Sequence, residues 1–81
     1  MSADSFVGVD VSKRQLDAAV FPAGESFSCS HCYDGHKKLI QQLRRRKPVL
    51  IVLEASGGYE GAAARALAAA DLPVAVVNPR Q

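Results

Sequence analysis

Two short aliphatic runs each deliver a carboxylate at or near their end, and that pattern constrains the chain more than any other. The first is Phe6-Val7-Gly8-Val9-Asp10-Val11-Ser12-Lys13; the second is Val49-Leu50-Ile51-Val52-Leu53, followed at once by Glu54 and the loop Ala55-Ser56-Gly57-Gly58. Runs rich in β-branched residues read as buried strands, where a lone carboxylate is costly unless it is paired, protonated or bound to a cation. Burying two side by side costs more, so Asp10 and Glu54 are expected to share a divalent cation, Mg²⁺ or Mn²⁺. The structural alternative is that each acid ends a strand and faces solvent, or that Glu54 caps a turn by accepting from the amides of Ser56, Gly57 and Gly58.

Periodicity supplies the frame for these two residues. Over residues 5–11, Val7, Val9 and Val11 alternate with Phe6, Gly8 and Asp10, the period of a strand, so Asp10 leaves the sheet on the Phe6 side. Ser12 to Gln15 are polar enough for a hairpin turn, and residues 16–21 alternate again, with Leu16, Ala18 and Val20 against Asp17, Ala19 and Phe21. Pro22, Ala23 and Gly24 break the chain, and residues 25–31 make a weaker edge strand that completes an antiparallel meander. The period then becomes helical, with Asp34 as N-cap, Leu39, Ile40 and Leu43 on one face, and Pro48 ending the helix. Residues 49–53 alternate little, which suits a central strand flanked by parallel neighbours. An alanine-rich helix over residues 59–70 is expected to turn Ala62, Ala63, Ala66, Leu67 and Ala70 inward, and residues 74–77 form a fifth strand. The order is β-β-β-α-β-α-β. If the fourth strand pairs with the first and the fifth with the fourth, right-handed crossovers running in one direction put both helices on one face, so the chain reads as the first part of a larger domain with an open sheet face.

Bulk properties narrow the function only a little. With 81 residues, 48% of them hydrophobic and 22% charged, the chain holds one small core. A formal charge of +2 and a pI near 8.7 fall short of the clustered excess of a dedicated nucleic-acid module. No stretch approaches the ~18 apolar residues of a membrane span, and the N-terminus lacks a signal-peptide layout, so no membrane partner and a cytoplasmic location are expected. Cys29 and Cys32 sit too close together to staple a fold, in keeping with a reducing compartment.

Taken together, Gly8-Val9-Asp10-Val11-Ser12-Lys13, Leu16-Asp17, Leu53-Glu54-Ala55-Ser56-Gly57-Gly58-Tyr59-Glu60 and Val77-Asn78-Pro79-Arg80-Gln81 resemble the N-terminal part of the DEDD-type insertion-sequence transposases. The resemblance covers nearly the whole chain, in order. It implies an α/β, ribonuclease H-like (RuvC-like) mixed five-stranded sheet, with residues 1–81 forming the N-terminal portion of a catalytic domain that stops before its last helices. In that family the first Asp lies on the first strand and the Glu ends the fourth, which carries over to Asp10 and Glu54 as catalytic and metal-binding residues. Two further acids and a nucleophilic serine are then expected after Gln81, and the chain alone is expected to be inactive. The implied activity is metal-dependent cleavage and transfer of DNA strands in transposition. The implied partners are transposon-end and target DNA and, in some members, a guide RNA; association with further copies of the chain is expected separately, from the open apolar sheet face.

Other features admit two readings each. Arg44, Arg45, Arg46 and Lys47 form the densest cationic stretch, fit either to grip phosphate or to close a solvated helix end. Ser12, Lys13 and Arg80 are further candidates for nucleic-acid contact, although a hairpin turn is polar in any case. Cys29, His31, Cys32 and His36 look like zinc ligands, but a structural zinc site wants a second spaced pair and Cys29 and Cys32 would face opposite ways on a strand, so small residues near a strand end are the better reading. Two other function classes stand beside the transposase. An actin-like or sugar-kinase ATPase also starts with a strand-borne Asp and a hairpin, yet wants Gly where Ser12 stands; a non-catalytic binding or oligomerisation module needs no chemistry at all.

Overall fold

Three valines set the arrangement of every other element. In the computed structural model of the chain, which describes residues 4–55 and 57–77, strand β1 (Phe6–Val11) buries Val7, Val9 and Val11 and turns Phe6, Gly8 and Asp10 to the opposite side. It pairs antiparallel with β2 (Gln15–Phe21), which pairs antiparallel with β3 (Glu25–Ser30). On the other flank, β4 (Leu50–Ala55) joins β1 in parallel and β5 (Val74–Val77) joins β4 in parallel. The strand order is β3-β2-β1-β4-β5. This is the mixed five-stranded, ribonuclease H-like layout expected from the sequence, with α1 (Tyr33–Arg46) and α2 (Gly61–Ala69) as the crossovers.

One face of this sheet holds the core. Leu39 and Leu43 of α1 and Ala63 and Leu67 of α2 pack with Val7, Val9, Val11, Leu16, Ala18, Val20, Ile51 and Leu53, all of them at most 3% exposed. Both helices therefore lie on the same side, as two right-handed crossovers in one direction require. The other side has no cover from the described residues. Phe6 and Phe21, register partners across β1 and β2, are 45% and 55% exposed there, and Leu50 and Val52 are only half-buried.

Helix boundaries depart from the sequence reading in two places. Helix α1 starts at Tyr33 with Cys32 as its N-cap, so Asp34, expected as the cap, lies in the first turn instead. There its carboxylate still faces the positive end of the helix dipole. The early start is possible because Gly35 presses on the end of β3: an added Cβ would stand 1.6 Å from the Ser30 carbonyl oxygen. Helix α1 ends at Lys47, whose φ of 48° is left-handed and whose N–H donates to the Leu43 carbonyl at 3.0 Å. Helix α2 runs from Gly61 to Ala69, shorter than residues 59–70; it buries Ala63 and Leu67, and Ala62, expected inward, is exposed. The i, i+4 spacing of Ala63 and Leu67 fixes the buried stripe, and Ala62 is one residue out of phase with it.

Gly35 gives a prediction in which two effects oppose. Helix propensity alone favours Gly35→Ala by up to ~1 kcal/mol, whereas overpacking against a backbone carbonyl costs about 1–3 kcal/mol or more. At 1.6 Å the clash wins. Gly35→Ala is expected to lower the urea midpoint clearly, and an unchanged or raised midpoint would contradict this packing.

Candidate metal centre

Asp10 and Glu54 are direct register partners across the parallel β1–β4 pair. Neighbouring strands lie ~4.8 Å apart and partners in register share a face. The two carboxylates thus rise side by side from the open face, near the carboxyl ends of both strands. Both are exposed, and the described residues include no buried polar or charged side chain. That corrects the expectation of a buried pair: the alternation that buries Val9 and Leu53 sends Asp10 and Glu54 to the side the helices leave uncovered. Mutual repulsion, not desolvation, is what the pair must offset.

No cation among the described residues does so. The one ion pair found there joins Arg46 Nε to Glu25 Oε1 at 3.0 Å, away from the acids. Two adjacent, unpaired carboxylates are a hard-oxygen donor set of the kind Mg²⁺ and Mn²⁺ take. They are an incomplete one, since no group of three or more His, Cys, Asp or Glu side chains among the described residues stands together as a metal cage.

The sequence reading gave Asp17 no site role, yet it shares the row. It is the register partner of Asp10 across β1 and β2, and Ser28 is its own partner across β2 and β3. Gln15 Nε2 and Ser28 Oγ both donate to Asp17 Oδ1 at 2.7 Å. These two bonds, Ser28 first, hold the Asp17 carboxyl below the usual carboxylate range, against a small opposing effect of desolvation. The signal was present in the sequence. A turn at Ser12 to Gln15 between two alternating strands fixes the register that sets Asp17 opposite Asp10.

The hairpin turn beyond Asp10 is tightly tied. Ser12 donates to the Gln15 carbonyl from both its backbone N–H, at 2.9 Å, and its Oγ, at 3.0 Å. From the end of β3, the His31 N–H donates to the Arg14 carbonyl at 2.9 Å. His31 Nδ1 lies 2.8 Å from the Ser12 carbonyl, which can only accept, so Nδ1 carries the proton. Lys13 and Arg14 are exposed on this turn, at the same end of the sheet as the acids.

The other candidates lie elsewhere. Arg44 to Lys47 stand at the opposite end of β1, where Ser5 Oγ donates to the Arg46 carbonyl at 3.4 Å. Strand rise puts Asp10 roughly 15 Å away. Arg44 Nη2 donates to the Ala70 carbonyl at 3.3 Å, and Arg46 binds Glu25 and Gln42 and lies 5.1 Å over the Phe27 ring. Arg46, partly buried, fastens α1 to β3, whereas Arg44, Arg45 and Lys47 are exposed, Arg44 with its single bond to Ala70. Arg80 and Ser56 lie outside the described residues. Cys29 packs against the core, where burial pushes its thiol up, while Cys32 is exposed at the helix start. The zinc arrangement is therefore not assembled among the described residues.

The His31 and His36 rings meet at a tilt of 54° with centroids 5.1 Å apart. Burial, and secondarily the His31 charge, hold His36 below the usual histidine range. A histidine whose pKa is lower folded than unfolded leaves the folded state with fewer bound protons as acid is added. Stability is then unaffected above the unfolded pKa near 6.5 and falls with pH below it, down to the folded value. His36→Gln is expected to flatten this slope in urea titrations between neutral and mildly acidic pH. A wild-type His36 proton resonance titrating above 6.5 would contradict it.

Comparison with known proteins adds the following. Residues 7–81 match the family profile of the IS110-type DEDD transposases, described as transposase. No curated protein matches the chain. Among solved structures, YeaZ from Pseudomonas aeruginosa is similar with a TM-score of 0.49 and 15% identity, over 94% of this chain and 44% of that one. The type II variant of the Aquifex aeolicus Ppx/GppA phosphatase is similar with a TM-score of 0.44 and 13% identity, over 95% and 36%. The chain spans less than half the length of either structure. Both superpositions are too loose to carry an argument.

Proposed function

Because the chain belongs to the IS110-type DEDD transposase family, we propose that it serves DNA transposition by metal-dependent cleavage and transfer of DNA strands, with Asp10 and Glu54 holding the divalent ion. The observation that carries this reading is their register: two unpaired carboxylates on adjacent parallel strands, on one exposed face. Bound Mg²⁺ or Mn²⁺ supplies charge neutralisation at the scissile phosphate and acidifies the attacking water or hydroxyl. The chain's own contribution is to hold two oxygen donors at a fixed spacing on a rigid sheet and to leave the approach above them open. Two carboxylates seldom retain Mg²⁺ without further acids or substrate phosphate, so the centre is read as one half of the family's four-acid set.

The substrate is DNA, both transposon ends and target, in the cytoplasm. Lys13 and Arg14, at the acid end of the sheet, are the cations best placed to meet a phosphate backbone near the reacting bond. Arg45 and Lys47 suit nucleic acid held farther off, DNA or a guide RNA. The exposed strip around Phe6 and Phe21 is the surface through which copies of the chain associate.

In the intact transposase, Asp10→Asn or Glu54→Gln keeps side-chain shape and removes the charge that holds the ion. Each is expected to lower strand cleavage roughly 100-fold or more, since even outer partners of a metal are worth about 10–100-fold. Retention of transposon-end DNA in a mobility-shift assay should stay near that of the unaltered protein. Near-normal cleavage by either variant in Mg²⁺ would sink the reading.

A further inference from the structure

Strand β3 is an outer strand of the sheet, and one bond fixes which of its backbone groups face outward. The His31 N–H donates to the Arg14 carbonyl, and the β2–β3 register carries that bonding phase to Cys29, Phe27 and Glu25. The backbone groups of Ser26, Ser28 and Ser30 alternate with these and point away from the sheet. Gly35 closes on the Ser30 carbonyl, so the open stretch is Ser26 and Ser28. Among the described residues, no backbone group bonds to either of them on that side. Outer strands are usually blunted by lysine, proline or a covering segment. Strand β3 carries neither residue, and its outward positions are all serine.

The space beside this edge admits a further strand. A cleft of about 520 Å³ is walled by Ser26 and Ser28 from one face of β3, by Phe27 and Cys29 from the other, and by Lys38 and Gln41 of α1. Walls from both faces of one strand mean that the cleft opens at its outer edge. We propose that β3 pairs there with β3 of a second copy, antiparallel about a two-fold axis at Phe27. Two open residues leave one two-fold register that satisfies both: Ser26 exchanges backbone bonds with Ser28 of the second copy, and Ser28 with its Ser26. The same register sets Phe27 opposite its own copy at a close, non-hydrogen-bonded position, where aromatic pairs stabilise a sheet. It also sets Glu25 opposite Cys29 of the second copy, whose thiol feels the Lys38 charge. Opposite charges thus meet across the contact. The contact is separate from the Phe6 and Phe21 strip and does not depend on the metal centre.

The test starts from the chain carrying Phe6→Ser and Phe21→Ser, which removes the apolar strip and leaves β3 as it is. Sedimentation equilibrium in the tens of micromolar is expected to show a dimer, held chiefly by main-chain bonds. Ser26→Pro removes an outward N–H that the chain itself does not use, a place where an outer strand tolerates proline. With the bond lost twice by symmetry, it is expected to weaken the dimer roughly tenfold or more. Ser26→Ala keeps the N–H and should leave the dimer unchanged. Register is read separately, with both phenylalanines in place, in a Cys29→Ala, Cys32→Ser background treated with oxidised glutathione. Backbone-paired residues stand about 5.5 Å apart at Cα, within reach of a disulfide, whereas diagonal neighbours at about 7–8 Å are not. A mixture of Ser26→Cys and Ser28→Cys chains should therefore cross-link, and either alone should not. A monomer once the strip is removed, a dimer indifferent to Ser26→Pro, or single variants that cross-link as fast as the mixture overturns the proposal. If a sedimentation variant fails to fold, the cross-linking result decides alone.

Discussion

Burial of a single sheet face is the constraint on which this molecule depends. Val7, Val9 and Val11 of β1 and Ile51 and Leu53 of β4 are sealed beneath α1 and α2, and the period of a strand is two, so every intervening residue is sent to the other side. Asp10 and Glu54 are where they are because of that parity. A slip of β4 by one residue against β1 would turn Leu50 and Val52 into the core, expel Ile51 and Leu53, and carry Glu54 off the face it shares with Asp10. The hydrophobic contacts that hold the register thereby hold the spacing of the acids, and the stability of the fold and the geometry of the site are one problem.

Much of this was legible because alternation is a local signal. The three-strand meander and the two crossovers follow from runs of valine, leucine and isoleucine interrupted by turn residues, whereas the pairing of β1 with β4 is a long-range choice that the runs allow and the structure shows. The helix boundaries were less legible because tertiary contacts set them: Gly35 starts α1 early by closing on the Ser30 carbonyl, which no capping rule reveals. The environment of the acids was misread for a related reason. An apolar run shows that a strand is buried, but not on how many faces, and only the placement of both helices on one side shows that Asp10 and Glu54 stay wet. Asp17 could have been found by counting across the hairpin, since its partner is fixed once the turn is.

The distribution of cations shows how little sequence density says about availability. Arg44 to Lys47 form the richest basic stretch of the chain, yet Arg46 is committed to Glu25 and Gln42. An arginine whose planar head is already satisfied by carbonyls and a carboxylate has less to offer a phosphate than a lysine standing in water. The sparser pair Lys13 and Arg14 stands exposed at the acid end of the sheet.

That pair is presented by an unusually stiff turn. Ser12 ties the loop to Gln15 twice, and His31 reaches over from β3 to grip it at Arg14 and again at Ser12. Ordering a flexible loop on a ligand commonly costs affinity through lost conformational freedom, and here that loss has been met during folding. The backbone beneath Lys13 and Arg14 is therefore a fixed gauge: under the proposed function it would set how far from the acid row a phosphate chain could ride, with only the long side chains left to adjust.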